Sequence, residues 1–530
     1  MRYAIFALCA VLAAMGVALA LRVSPWWWAG AGPFLGLALV GFRDTFIQRR
    51  HSVLRNYPVI GHLRWLIEAM RPELRQYLFA SDKAETPFNR DQRSLVYQRA
   101  KDVEDRTPFG TKFDVYASDF SYLSHSMHAQ PAPDRDPRLD IGTAQCGRPY
   151  SASVLNISGM SFGALSPNAI RALNRGAAKG GFFHDTGEGS ISRFHRMEGG
   201  DLVWQLGTGY FGARKDDGRF CPDTFQRNAD DDQVKMIEIK LSQGAKPGHG
   251  GVLPKEKLTP EVAEARHVPL DRDVISPASH PEFATPVEMI HFLDRVRRLA
   301  GGRPVGFKLC IGHEWEFAAA AKAMIETEIL PDFIVIDGSE GGTGAAPLEF
   351  SDHMGAPLAE GLSFAHNVLV GAGLRDKIRL GASGKVVSAF DILRLMALGA
   401  DWCNAARAFM FSVGCIQSLS CHTNKCPVGV ATTDPKRFRA LDVDDKAERV
   451  YNFHRNTIEE LVHVTSAMGL KHPHDVKRHM VFRRQGTSQM VSVEDRFHWL
   501  QPGELLVGTN DRRYARVWAM ARTDSFAPVP

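Results

Sequence analysis

The chain has 530 residues, 44% of them hydrophobic, enough to bury a large core and to hold more than one domain. Its 64 Lys and Arg against 59 Asp and Glu leave a net charge of +5, too mild and too well mixed to mark a nucleic-acid binder. Of its 8 cysteines, Cys9, Cys146, Cys221, Cys310 and Cys403 are scattered, which excludes a dense secreted disulfide framework and fits reducing conditions.

Tyr3 to Leu21 is apolar and uncharged between Arg2 and Arg22. Val23 to Gly41 follows, again uncharged, with Trp26, Trp27 and Trp28 near its start and Gly32/Gly36 at GxxxG spacing. Each run is close to the length that crosses a ~30 Å hydrocarbon core as a helix. Arg2 on one side and Arg43, Arg49, Arg50 and Arg55 on the other put both ends in the cytoplasm by the positive-inside rule. The expectation is a transmembrane helical hairpin over residues 1–42, turning at Arg22–Pro25. It would anchor the chain in the inner (cytoplasmic) membrane, with the catalytic part facing the cytoplasm. A signal peptide cleaved after Ala18-Leu19-Ala20 is the alternative, and it leaves the second apolar run unexplained.

Residues 43–150 read as a helical and irregular cap, with helices expected at Gly61–Phe79 and Asp91–Val103 and no catalytic motif. From Ser151 short β-branched runs alternate with helical ones. Strands are expected at Val154–Ser158, Met236–Leu241, Val305–Leu309, Phe333–Asp337, Ile378–Gly381 and Trp402–Ala405. Helices are expected at Asn168–Lys179, Pro286–Leu299, Phe317–Glu328 and Ala389–Leu398. Repeated strand–helix units imply a parallel sheet. Glycine-rich polar segments recur after strand after strand, which favours a closed (β/α)8 TIM barrel over 151–435 rather than an open sheet with one switch point. Residues 436–530 read as a helical covering layer.

Several segments carry candidate chemistry. Gly207-Thr-Gly-Tyr-Phe-Gly212 matches GxGxxG, but Ala213-Arg-Lys-Asp-Asp-Gly218 behind it is no helix start, so a dinucleotide fold is rejected. Phe333–Asp337 delivers a glycine-rich loop, Gly338 to Pro347, where backbone amides can approach a ligand closely. The segments ending in Gly384-Lys385 and Ala406-Arg407 follow the last two expected strands, a common phosphate-binding position in such barrels. Lys308 stands inside the apolar strand Val305–Leu309, where an ammonium needs an anionic partner. Lys246, between glycines, is a candidate carboxylate grip, and Glu188 is either catalytic or a helix cap.

Cys415, Cys421 and Cys426 lie within a dozen residues, separated by five and then four positions. A disulfide with a spare thiol fits poorly with reducing conditions. Zinc, completed by His422, favours shorter knuckles, whereas iron–sulfur clusters accept looser spacing. Spacing alone leaves zinc and iron–sulfur both open.

Ile157-Ser-Gly-Met-Ser-Phe-Gly163, Asp185-Thr-Gly-Glu-Gly189, Gln243-Gly-Ala-Lys-Pro-Gly248, Ile275-Ser-Pro277, the loop Gly341 to Pro347 and the three cysteines with Pro427-Val-Gly-Val-Ala431 resemble, in that order, the synthase domain of glutamate synthases. Arg55-Asn-Tyr-Pro-Val-Ile-Gly61 and Pro87-Phe-Asn-Arg90 resemble its membrane-anchored, single-domain bacterial members. The resemblance implies FMN at the mouth of the barrel and a 3Fe-4S cluster on Cys415, Cys421 and Cys426. It implies Met160, Ser161 and Gln205 along the flavin, and Lys308 against flavin and substrate carboxylate. Gly384, Lys385, Ala406 and Arg407 would surround the phosphate, and Gly341, Gly342, Thr343 and Gly344 would line the substrate side.

The implied reaction is reduction of 2-iminoglutarate, from 2-oxoglutarate and ammonia, to L-glutamate, with Lys308, Glu188 and Lys246 as the catalytic candidates. Electrons would come from ferredoxin or another separate donor, since the chain carries no nucleotide-binding motif. The chain opens on an apolar segment rather than a glutaminase domain with an N-terminal cysteine, so glutamine would require a partner subunit. His249 stands where the larger enzymes carry glutamate after Lys-Pro-Gly. The alternative is a membrane-tethered flavin and iron–sulfur electron-transfer protein acting on a different 2-oxo acid or amine.

Overall fold

The computed structural model describes residues 2–131, 135–486 and 488–529. The chain divides into two compact units, Met1–Arg90 and Asp91–Pro530. In the first, α1 (Ala4–Arg22) is 19 residues long and apolar enough to cross a membrane. The second apolar helix, α2 (Trp28–Phe42), has only 15 residues. A Cβ on Gly16 would fall 2.8 Å from that of Ala31, and one on Gly41 would fall 2.3 Å from the Phe6 ring. Those two close approaches make α1 and α2 antiparallel neighbours. The expected helix at Gly61–Phe79 is α-helical to Leu74 and then widens into a π turn.

In the second unit eight parallel strands close into a barrel in simple chain order. They are β1 (Leu155–Ile157), β2 (His184–Asp185), β3 (Leu202–Leu206), β4 (Val234–Lys240), β5 (Val305–Leu309), β6 (Phe333–Asp337), β7 (Arg379–Ser383) and β8 (Trp402–Ala405). Pairing of β8 with β1 closes it, with Cys403 opposite Leu155. Among the helices between strands are Pro167–Gly180, Pro286–Leu299, Glu314–Thr327, Leu358–Gly371 and Ala389–Ala397. Their starts obey local chemistry: Thr285 and Glu288 form a reciprocal capping box with Pro286 in the first turn. At the opposite end from the catalytic loops, buried Asp332 accepts from Arg297 Nε at 3.0 Å, Thr143 Oγ1 at 2.7 Å and Val305 N–H at 2.8 Å. That end carries stability rather than function.

Two of the eight barrel strands went unrecognised in the sequence. β2 is two residues long, and β3 runs straight into the glycine motif at 207–212. No helix follows that motif until Pro222–Ala229, in keeping with its rejection as a dinucleotide site. The C-terminal layer differs from a purely helical one. The 25-residue helix Val443–Ala467 packs on Pro167–Gly180, where a Cβ on Gly176 would lie 2.5 Å from Val450. Beyond it, Val481–Gln485 and Gln489–Ser492 form a hairpin that pairs with Ser121–Leu123. Val481–Gln485 reads Val-Phe-Arg-Arg-Gln, with no apolar–polar alternation, so the strand left no period in the sequence.

Candidate active site

Residues of one parity on successive strands face the barrel interior, so β3, β4, β5 and β6 bring Gln205, Glu238, Lys308 and Asp337 together near their C-terminal ends. All four are buried, as is Asp185 at the end of β2. Gln205 Nε2 donates to Glu238 Oε1 at 2.6 Å and to Asp185 Oδ2 at 3.2 Å, so both amide hydrogens meet carboxyl oxygens. The Gly187 N–H donates to Asp185 Oδ1 at 2.9 Å, and the Gly244 N–H donates to Asp337 Oδ2 at 2.8 Å. Lys308 Nζ lies 4.0 Å from Asp337 Oδ2.

One ammonium among three acids dictates the protonation of this layer. Burial opposes the charged form of Lys308, but Asp337, Glu238, Asp185 and Glu188 outweigh it and hold the ammonium above its ordinary pKa. Burial pushes Asp185 up, with Lys308 opposing, and burial together with Asp185 pushes Glu238 up further. The Asp185–Glu238 pair therefore keeps a proton where exposed carboxyls have lost theirs.

Glycines let the first loop rest directly on this layer. A Cβ on Gly159 would stand 2.8 Å from Gln205 Nε2 and 2.9 Å from Asp185 Oδ2. Gly187, at φ +64, would put a Cβ 2.6 Å from the Ser161 nitrogen. Met160 is buried and Ser161 half-buried on this loop.

A second cluster surrounds Glu188. Lys240 Nζ sits 3.0 Å from Glu188 Oε1 and donates to Gln243 Oε1 at 2.7 Å. Burial would raise Glu188, but Lys240, Lys246 and Arg266 hold it below the usual carboxylate range. Burial lowers Lys246, with Glu188 opposing and Lys240 adding to the fall. Glu188 thus caps no helix; it is the anion that three cations share. A cavity of about 20 Å³ is lined by Glu188, Lys240, Gln243 and His249, among others, room for one water-sized molecule. The His249 Nδ1 is 2.7 Å from its neighbour's carbonyl, Gly250 O, so that nitrogen carries the proton.

Gly384-Lys385 and Ala406-Arg407 follow the seventh and eighth strands, as expected. Burial and the nearby Arg407 lower Lys385, and burial pushes Arg407 down to about 10 despite Asp337 and Glu340. Arg407 Nη2 donates to the Glu340 carbonyl. Gly342 packs against that guanidinium, where a Cβ would fall 2.8 Å from Nε, and a Cβ on Gly341 would stand 3.2 Å from Asp337 Oδ2. Thr343 and Gly344 are exposed, and Thr343 Oγ1 donates to Ala345 O at 3.2 Å. The structure therefore draws the first half of that loop into the site and leaves the second half outward.

All three clustered cysteines are free thiols, so the disulfide is excluded. Cys426 is buried, Cys415 and Cys421 are half-buried, and His422 is exposed on the turn beside them. Burial raises Cys415 to about 12, and the Cys421 and Cys426 thiols add to it, so the three lie within electrostatic reach of one another. Among the described residues no three His, Cys, Asp or Glu side chains converge as tightly as a single metal ion requires.

Sequence reasoning missed Asp185, Glu238, Lys240, Asp337 and Arg266 as site residues. Glu238 and Lys240 share a face of Val234–Lys240, and the argument made for Lys308 in a buried strand applies to both. Arg266, whose Nη2 donates to Phe162 O at 2.9 Å, lies on a distant excursion and left no local signal.

The region conserved in glutamate synthase is matched over residues 121–471. The glutamate synthase large subunit-like protein YerD of Bacillus subtilis is 38% identical over 492 residues, covering 85% of this chain and 93% of its own. The NADPH archaeal-type glutamate synthase of Thermotoga maritima is 33% identical over 312 residues, 59% of this chain. The matched part spans 58% of that relative's length. Among solved structures, mandelate oxidase with benzoyl-formic acid aligns with 74% of this chain and 98% of its own at 16% identity and TM-score 0.44, too distant to bear on function. With the conserved region matched over more than half its length, the chain belongs to the glutamate synthase family.

Proposed function

We propose that this chain is an FMN- and iron–sulfur-dependent oxidoreductase that reduces 2-iminoglutarate, formed from 2-oxoglutarate and ammonia, to L-glutamate. The observation that carries the reading is the buried Lys308 ammonium in one layer with Gln205, Glu238 and Asp185, under a loop stripped of side chains at Gly159 and Gly187. A planar ring fits such a floor. The cations Lys385 and Arg407, each depressed by burial and close enough for Arg407 to lower Lys385, fit a phosphate between them. Bound there, FMN would supply the hydride.

The chain's own residues supply charge and orientation. Lys308 keeps a fixed positive charge that favours negative charge on the ring and on a substrate carboxylate. Gln205 holds the paired carboxyls in place, and the proton kept on Asp185–Glu238 limits the negative charge below the ring. Glu188, Lys240, Gln243 and His249 line a cavity sized for one small polar molecule, which suits a nitrogen donor such as ammonia. Three free thiols suit a 3Fe-4S cluster by donor chemistry, as one-electron acceptor for ferredoxin or another separate donor. A glutaminase partner would extend the nitrogen source to glutamine.

His249 on the loop that lines the small cavity favours a second reading: the same redox centre acting on a different 2-oxo acid or amine. The apolar α1, with α2 against it, supports anchoring as a hairpin in the cytoplasmic membrane. The test is purification followed by anaerobic photoreduction. A yellow-brown protein with about three irons per chain, reoxidised by 2-oxoglutarate plus ammonia, supports the proposal. A colourless zinc protein contradicts both readings, and reoxidation by another oxo acid alone selects the second. Retention in the membrane fraction after alkaline wash tests the anchor.

A further inference from the structure

Between β4 and the helix Pro286–Leu299 the chain makes an excursion closed by antiparallel pairing of Val252–Leu253 with Val274–Ile275. It carries two buried cations in opposite directions. Arg266 reaches the Met160–Phe162 loop and the charge of Glu188 at the barrel mouth. Lys257 reaches the loop of the three cysteines. The turn Lys255–Lys257 is tied to that loop twice: Asn424 Nδ2 donates to Glu256 O at 3.1 Å, and Lys257 Nζ donates to Ala431 O at 3.5 Å.

Lys257 is 5% exposed, and among the described residues no carboxylate forms an ion pair with it. Burial lowers Lys257, with Cys421 and Cys426 opposing and Arg266 adding to the fall. A buried ammonium without an anion is costly, and neutral thiols offer it little. Metal-bound thiolates carry the missing negative charge. The burial of this lysine is thus accounted for when Cys421 and Cys426 are thiolate ligands.

We propose that Lys257 is the charge partner of the metal–thiolate centre, a positioning residue that raises the centre's reduction potential by stabilising its more negative, reduced state. The inference rests on the assignment of Cys415, Cys421 and Cys426 to an iron–sulfur cluster. A fixed cation in a low-dielectric surrounding acts on the reduced form more strongly than on the oxidised one, since the reduced form carries one more negative charge.

The experiment is an EPR-monitored redox titration of the full-length holoprotein and of Lys257→Gln, Lys257→Arg and Lys255→Gln, with iron counted in each. Lys255 is exposed on the same turn and serves as the control. The midpoint of Lys257→Gln is expected to move negative, with Lys257→Arg and Lys255→Gln close to the unmodified protein. Iron lost from Lys257→Gln but kept in Lys257→Arg also supports the charge role. An unchanged midpoint in iron-loaded Lys257→Gln overturns the proposal, as does iron loss from both Lys257 variants, which marks a purely steric part. Absence of iron from the unmodified protein overturns the cluster assignment itself, a separate failure.

Discussion

Replacing Lys308 with Met removes the ammonium held among the buried acids Asp337, Glu238 and Asp185. At 4.0 Å from Asp337, the ion pair is worth about 4 kcal/mol with an effective dielectric of about 20. Both partners are more than nine-tenths buried, so solvent screening takes little from this figure. Breaking one partner of such a pair costs about 3–5 kcal/mol, because the other charge stays buried. Urea unfolding of full-length Lys308→Met, Asp337→Asn and the double variant, followed by tryptophan fluorescence, measures the coupling. Trp204 and Trp402, both fully buried in barrel strands, lie among the reporters. Bound flavin must be quantified in each sample, because a ligand lost from the native state lowers stability by itself. The expected coupling is about 2–4 kcal/mol, with the double variant more stable than the sum of the single losses predicts. Additivity to within about 0.5 kcal/mol would refute the argument that this layer is organised around one charge pair.

Glu238→Gln tests the shared proton. Its folded pKa is raised by burial and by Asp185, so the native state holds a proton that the unfolded state has released. Stability therefore falls as pH rises from the ordinary carboxyl value of 4.5 toward about 8, and the Gln variant should lose that fall between about pH 5 and pH 8. Gly187→Ala would force a Cβ to 2.6 Å from the Ser161 nitrogen at φ +64, and flavin content of the purified variant should drop severalfold. Lys385→Gln relieves a repulsion with Arg407 in the free protein but removes the phosphate contact proposed for it, so FMN affinity in a fluorescence titration should fall about tenfold, with thermal stability unchanged or higher without flavin. Cys426→Ser should abolish bound iron while leaving the flavin absorbance, because Cys426 lies on a loop apart from the strand ends.

Long strands with helices behind them were legible because burial on both faces leaves continuous apolar runs, as in Phe333–Asp337. Two-residue β2 was not, since His184 and Asp185 carry no strand signature and owe their pairing to neighbours. Lys308 stood out against an apolar run, whereas Glu238 and Lys240 sat in the mixed sequence VKMIEIK, where alternation hid two buried charges among ordinary strand residues. The pairing of Asp185 with Glu238 through Gln205 joins three strands and exists only once the barrel closes. Lys257 was silent for a related reason: its turn is an unremarkable Lys-Glu-Lys, and only the fold sets it beside cysteines more than 160 residues later.

Glutamate formation is measured by supplying the full-length protein, under anaerobic conditions, with a chemical reductant, 2-oxoglutarate and isotope-labelled ammonium, and analysing the amino acids formed. Labelled L-glutamate in catalytic amounts is expected from the unmodified protein, with a large loss in Lys308→Met that retains its flavin. Absence of labelled glutamate from flavin- and iron-loaded protein, with another oxo acid aminated under the same conditions, would contradict the proposed reaction.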